Sequence, residues 1–202
     1  MTVLDDVWDF PPAQVEVPSD VIHVWRASLD PPIWHLERLM CILSEAEQAR
    51  ARQFYFEGDR KRFVVARGLL RVILGCYLGI SPDRLLFHYG PAGKPVLSDL
   101  QVRQEIQFSV SHSHGLVLYA VTGGRHIGID LERIRPILNA AQITQRVFSP
   151  REHALFWSLP PIQRQAAFFY GWTRKEAYVK ACGDGLARPL TQIDVSLPPF
   201  EP

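Results

Sequence analysis

The spacing of apolar and polar positions changes several times along the chain, and each change marks an element. Residues 21–27 (VIHVWRA) alternate, which predicts a strand, and residues 36–47 follow a helical period. A second helix is predicted from Asp59, a good N-cap, through RKRFVVARGLLRVILGCYL to Gly79. Residues 89–95 read as a loop because of their glycines and prolines. In residues 106–111 (IQFSVS), Ile106, Phe108 and Val110 share one face of a predicted strand, with Gln107, Ser109 and Ser111 on the other. Residues 116–122, the turn Gly123-Gly124 and residues 126–132 (HIGIDLE) are expected to form a hairpin. Two further helices are predicted over 150–157 and 166–182, the second stopped by Gly183 and Gly185. Residues 1–20 hold three prolines and five acids without a base, and read as a surface or disordered arm.

Laid against itself at an offset of 105 residues, the chain keeps its register without a gap from 21–90 onto 126–195. Ile22 falls on Ile127 and Val24 on Ile129. Leu43-Ser44 with Glu47 falls on Phe148-Ser149 with Glu152, and Phe63 falls on Phe168. The expectation is an α+β protein built as a pseudo-twofold duplication of two similar α/β subdomains, 21–125 and 126–202. The C-terminal half is expected to be shortened, because it stops before a counterpart of the GKP loop and the FSVSHS strand.

Composition narrows the classes. The 202 residues are 47% apolar and 11% aromatic, enough to bury a core, so disorder is excluded. Twenty-two basic and 21 acidic residues leave a net charge of +1, so any anion site is local and a general nucleic-acid binder is disfavoured. Cys41, Cys76 and Cys182 match no CxxC or zinc spacing, which points to a reducing, cytoplasmic setting. The acidic N-terminus and the lack of an 18-residue apolar run speak against secretion and membrane spanning. Neither GxxxxGK[ST] nor GxGxxG occurs.

The candidate chemistry is acidic in one place and basic in another. Asp130 and Glu132 of GIDLE are two apart on a predicted strand, so their carboxylates share a face and repel each other unless a cation lies between them. Oxygen-only ligands favour a hard ion such as Mg²⁺, and a solvated outer face is the plain alternative. Trp172, Glu176 and Lys180 make one helical stripe, and the offset alignment brings Glu176 toward Asp130 and Glu132 as a third acid. Lys180, one turn on, would then bind a phosphate of a metal-bound diphosphate or protonate a leaving oxygen, with a solvated Glu-Lys pair as the plain alternative. Arg60, Lys61 and Arg62 oppose the dipole of their helix unless an anion docks there, and Lys94 sits on a stiff Gly-Lys-Pro loop. Ser111-His112 is no hydrolase pair, since adjacent strand residues point to opposite faces and no GxSxG elbow is present; His112 fits a phosphate ligand better.

GKP (93–95), FSVSHS (108–113), GIDLE (128–132) and WTRKEAYVKACGDGL (172–186) stand in an order and spacing that resemble the surfactin-type 4'-phosphopantetheinyl transferases. The tryptophan before KEA is similar to the W/KEA subgroup, heterocyst-type members included, and the likeness covers residues 21–197. It implies pseudo-twofold monomers that move the 4'-phosphopantetheine arm of coenzyme A to a serine of an acyl or peptidyl carrier protein, releasing adenosine 3',5'-bisphosphate. By position, it implies Asp130, Glu132 and Glu176 as Mg²⁺ ligands and Lys180 as the diphosphate ligand that assists the leaving phosphate. Glu152 becomes the candidate general base for the carrier serine. Arg50, Arg62, Lys94, Ser111 and His112 become the cradle of the adenine nucleotide. Two other classes compete. One is a coenzyme A or carrier-protein binding module without turnover, and the other is a nucleic-acid contact along the Arg60 to Arg71 helix. The apolar LFWSL (155–159) is a candidate carrier contact, with core packing as the alternative.

Overall fold

A computed structural model describes residues 15–18, 20–90, 93–98, 106–183 and 189–197. Most of the expected arm, residues 1–14 and 19, lies outside them, but Val15 and Val17 pack against the N-terminal core. The strand β1 (Ile22–Ser28) leads into α1 (Ile33–Cys41), α2 (Glu45–Arg52) and the long α3 (Glu57–Leu78). The helix expected over 36–47 is thus two helices. Ser44 breaks the run by capping α2: its hydroxyl accepts from the Glu47 amide while the Glu47 carboxylate accepts from the Ser44 amide. Helix α3 starts two residues before the expected Asp59, which lies with Glu57 in its acidic first turn, and ends as expected at Gly79, left-handed at φ 64°.

After a 3₁₀ turn at Pro82–Arg84 come two short strands, β2 (Phe87–Tyr89) and β3 (Pro95–Leu97), that flank the GKP loop. The strands β4 (Ile106–Ser113) and β5 (Leu116–Gly123) turn about His114 and Gly115 at positive φ. The hairpin is therefore β4 with β5, not β5 with residues 126–132. The sheet runs β1-β5-β4, all antiparallel, with Trp25 opposite Tyr119 and Val110 opposite Tyr119. Helix α3 lies on this sheet, where the buried Tyr119 hydroxyl donates to Ala66 O at 2.8 Å. Gly68 lets α1 approach α3, since a Cβ there would stand 2.8 Å from Leu39 Cβ.

In the C-terminal half, α4 (Ala140–Val147) and α5 (Pro150–Ser158) precede α6 (Pro161–Cys182). Helix α6 begins five residues earlier than expected, with Pro161 at its first position, where the missing N–H costs nothing. Four phenylalanines, 148, 156, 168 and 169, dominate this core. Phe156 and Leu159 of the LFWSL segment are buried, while Leu155 and Trp157 are partly exposed. No helix among the described residues is long and apolar enough to cross a membrane.

Candidate active site

Residues 127–133 form no backbone ladder with another described segment; instead they lie along the serine face of β4 and are held by its hydroxyls. The hydroxyls of Ser109, Ser111 and Ser113 accept the amides of Ile129, Leu131 and Arg133 at 3.1, 3.2 and 3.2 Å. Every second residue on one segment meets every second residue on the other, as two extended chains require. Two of the hydroxyls also donate: Ser111 to Asp130 Oδ1 at 2.8 Å and Ser113 to Glu132 Oε2 at 3.3 Å. The alternating polar face of β4 thus aims both acids.

Helix α6 comes down on this segment at Gly128. A Cβ on Gly128 would stand 1.8 Å from Ala177 O and 2.6 Å from Ala181 N, so only glycine lets the helix come so close. That approach sets Lys180 Nζ 2.7 Å from Asp130 Oδ1 and 3.0 Å from Ser111 Oγ. Asp130 Oδ2 is buried and has no hydrogen-bond partner among the described residues. Burial raises the pKa of Glu176, and the Asp130 and Glu132 charges raise it further against the pull of Lys180. Three carboxylates therefore share one field with a single lysine beside them. Among the described residues no group of three His, Cys, Asp or Glu side chains is already gathered to hold a metal ion. The orphaned Asp130 oxygen and the all-oxygen donor set nonetheless fit an added hard cation.

Glu176 and Lys180 line a cavity of about 280 Å³ together with Gly93, Lys94, Pro95 and Ser109. A second cavity, of about 570 Å³, shares Gly93, Pro95 and Val110 with it and is walled by Arg50, Arg62, Phe63, Tyr89 and His112. Sharing these residues, they adjoin as one groove, lined by Glu176 with Lys94 and Lys180 at one end and by Arg50, Arg62 and Arg67 with Asp59 at the other. Arg62 is half exposed, with distant partners among the described residues in Asp30 (3.8 Å) and Asp59 (3.9 Å), and the Arg50 guanidinium lies 5.9 Å from the Phe63 ring centre.

Comparison with known proteins decides the family. The description "4'-phosphopantetheinyl transferase, N-terminal" matches residues 25–123, and "4'-phosphopantetheinyl transferase superfamily" matches residues 126–201. The 4'-phosphopantetheinyl transferase HetI of Nostoc sp. is 46% identical over 99% of this chain and 84% of its own length. The chain belongs to the 4'-phosphopantetheinyl transferase superfamily. Sfp of Bacillus subtilis is 29% identical over 80% of this chain and 69% of its own, and AcpT of Salmonella typhimurium is 37% identical over 63% of each.

In this phosphopantetheinyl transferase the seam brings Ser111 and Lys180 onto Asp130 and sets Glu176 within the field of Asp130 and Glu132, and the groove reaches Arg50, Arg62 and His112. Four expected residues sit differently. The Lys94 ammonium donates to Ile127 O at 3.2 Å and Lys180 O at 2.7 Å, so it ties the GKP loop to the end of α6 rather than standing free over the groove. Burial lowers its pKa. Arg67 and Arg71 turn inward onto Glu47, at 2.5 and 2.6 Å, so the Arg60 to Arg71 helix offers no continuous basic face to a nucleic acid. Glu152 lies in the C-terminal core at 2% exposure, outside the groove lining, with both oxygens engaged. Ser109, Ser113, Gly128 and Lys175 are the positions that sequence reasoning passed over as site residues; the S-x-S-x-S alternation was the signal for the first two.

Proposed function

We propose that the chain transfers the 4'-phosphopantetheine group of coenzyme A to a serine of an acyl or peptidyl carrier protein, with Mg²⁺, releasing adenosine 3',5'-bisphosphate. The observation that carries this reading is the buried Asp130 Oδ2, without a partner among the described residues, beside Lys180, which lines a groove that continues past Arg50 and Arg62. Asp130, Glu132 and Glu176 are the residues to hold the ion, which supplies positive charge against the diphosphate oxygens when bound. Arg50, Arg62 and His112 bind the nucleotide phosphates by charge, and Ser111 orients Lys180 and Asp130. Lys180 meets the charge that gathers on the leaving phosphate. The serine oxygen bonds to the phosphorus that bears the pantetheine, the diphosphate P–O bond breaks, and the serine proton goes to Glu176. Of the three acids, Glu176 is the one that lines the groove, which leaves it within reach of an entering serine.

The same reading takes the two halves as copies of one unit acting as a monomer in the cytoplasm. In each half a capping-box helix precedes a 22-residue helix, which supports the duplication, and the three cysteines are unpaired. The test is intact-mass spectrometry of an apo carrier protein incubated with the chain, coenzyme A and Mg²⁺. One phosphopantetheinyl mass is added by the unaltered chain, and Asp130→Ala slows this by about a hundredfold or more. Coenzyme A binding without any mass gain on several carriers would replace the transferase with a binding module.

A further inference from the structure

The C-terminal core buries an ion pair that the proposed transfer does not use. Lys175, fully buried, sets its ammonium 2.5 Å from Glu152 Oε2 and donates to Leu190 O at 2.8 Å and Ile193 O at 2.5 Å. Glu152 also accepts the Ser149 amide at 2.8 Å and the Val195 amide at 2.7 Å. All three ammonium protons and both carboxylate oxygens are therefore engaged.

The N-terminal half contains the same arrangement. Glu47, third in the capping box of α2, accepts the Ser44 amide at 2.9 Å and Arg71 Nε at 2.6 Å. Arg71 also donates to Pro82 O at 2.8 Å and Leu85 O at 3.0 Å, which are the first residue of a 3₁₀ turn and the residue just after it. Lys175 reaches the same two places on the turn Leu190–Gln192. In both halves a capping-box glutamate and a cation of the following long helix tie that helix to a 3₁₀ turn. Glu47 also pairs with Arg67, which lines the groove, but Arg71, the counterpart of Lys175, lies outside it, so its tie to the 3₁₀ turn needs no chemistry to explain it.

We infer that Glu152 and Lys175 form a clamp that sets the rotation of α6, so that Glu176 and Lys180 face Asp130; Glu152 is a positioning residue and not the base. Consecutive helical residues point about 100° apart. Fixing Lys175 toward the 3₁₀ turn therefore fixes Glu176 toward the seam, and a turn of α6 would carry Glu176 and Lys180 off it together. The inference rests on the transferase reading for its consequence, but its geometry does not.

The test compares the unaltered chain with Glu152→Gln, Lys175→Met, the double variant and Lys175→Arg. Each is read by melting temperature, by Mg²⁺ titration calorimetry in the presence of coenzyme A, and by transfer to an apo carrier. Each neutralising single variant strands one buried charge, whereas the double variant strands none. The expected result is transfer slowed by about a hundredfold and Mg²⁺ binding weakened at least about tenfold in the singles. The double variant and Lys175→Arg, which supplies the cation used in the other half, recover both to within about threefold. A folded double variant that transfers no faster than Glu152→Gln while binding Mg²⁺ like the unaltered chain would overturn the inference, because Glu152 would then act on the serine. Singles that melt early yet keep full Mg²⁺ binding and transfer overturn it too, as does a folded Lys175→Arg that behaves like Lys175→Met. An unaltered chain that modifies no carrier defeats the functional reading alone, and the Mg²⁺ titrations still decide the clamp.

Discussion

Between α3 and the three-stranded sheet of the N-terminal half, nineteen described apolar side chains are buried together, whereas the C-terminal core gathers eight. In each core one buried glutamate pairs with the long helix, Glu47 with Arg67 and Arg71 and Glu152 with Lys175. They differ in how their extended segments are satisfied. The N-terminal strands pair backbone to backbone, while residues 127–133 of the C-terminal half lean on the hydroxyls of β4. The acids therefore belong to one half and the groups that aim them to the other. Site geometry depends on the seam as much as on either core, and the two dependences can be separated by experiment.

The largest effect is expected at Glu47, which touches only the N-terminal core. Glu47→Gln leaves Arg67 and Arg71 buried without their carboxylate, and should cost about 3–5 kcal/mol of unfolding free energy in urea melts. Burial by itself raises the pKa of Glu47, but hydrogen bonds from Arg71, the Ser44 amide and Arg67 overcome this and hold it below the ordinary value. The native state thus binds this proton less readily than the unfolded chain. Its stabilisation is present above the ordinary value of 4.5 and is lost as the pH falls through the lower folded value. Urea melts of the unaltered chain should weaken over that acid range, and those of Glu47→Gln should show less of this slope. Identical slopes would mean that the N-terminal pair is not what acid breaks.

Gly128→Ala breaks the seam and leaves both cores alone. The added methyl meets the backbone of α6 at Ala177 and Ala181, which cannot rotate aside, so the helix must withdraw from Asp130. A shift of this kind should slow transfer by about a hundredfold. Hydrogen exchange of β5 should meanwhile stay as slow as in the unaltered chain, because Val117, Tyr119 and Val121 belong to the N-terminal core. Loss of β5 protection in step with activity would show that seam and core open as one unit, and the contrast between the halves would fail.

Much of this was legible in the residues. Alternation located β1, β4 and β5, and the glycines after α3 and α6 marked where those helices stop. The acids and the lysine of the seam could be read because a family motif fixes their spacing. What could not be read is tertiary. The pattern of residues 126–132 is that of a strand, yet their neighbours are serine side chains, and alternation carries no information about what a strand pairs with. Ser44 divides a run whose apolar period continues through it. Glu152 stands in a motif whose role is assigned by position, and only its burial beside Lys175, a neighbour 23 positions on, shows both oxygens engaged.

The smallest predicted effect lies along the serine ladder and grades the seam from its buried to its exposed end. Ser113 is partly exposed and meets Arg133 N and Glu132 Oε2 at 3.2 and 3.3 Å, so in Ser113→Ala water can replace both contacts. The expected cost is about 0.5–1.5 kcal/mol, with Mg²⁺ binding in calorimetry weakened by roughly the corresponding factor of 2–13. Ser109 is 3% exposed, and Ser109→Ala leaves the Ile129 amide without an acceptor, a desolvation cost of about 1–3 kcal/mol. Because Ser109 bonds no carboxylate, its variant should lose more stability than Ser113→Ala but less Mg²⁺ affinity for each kcal/mol lost. A common ratio for both variants would mean that the hydroxyls only attach the segment, and that Ser113 has no separate part in aiming Glu132.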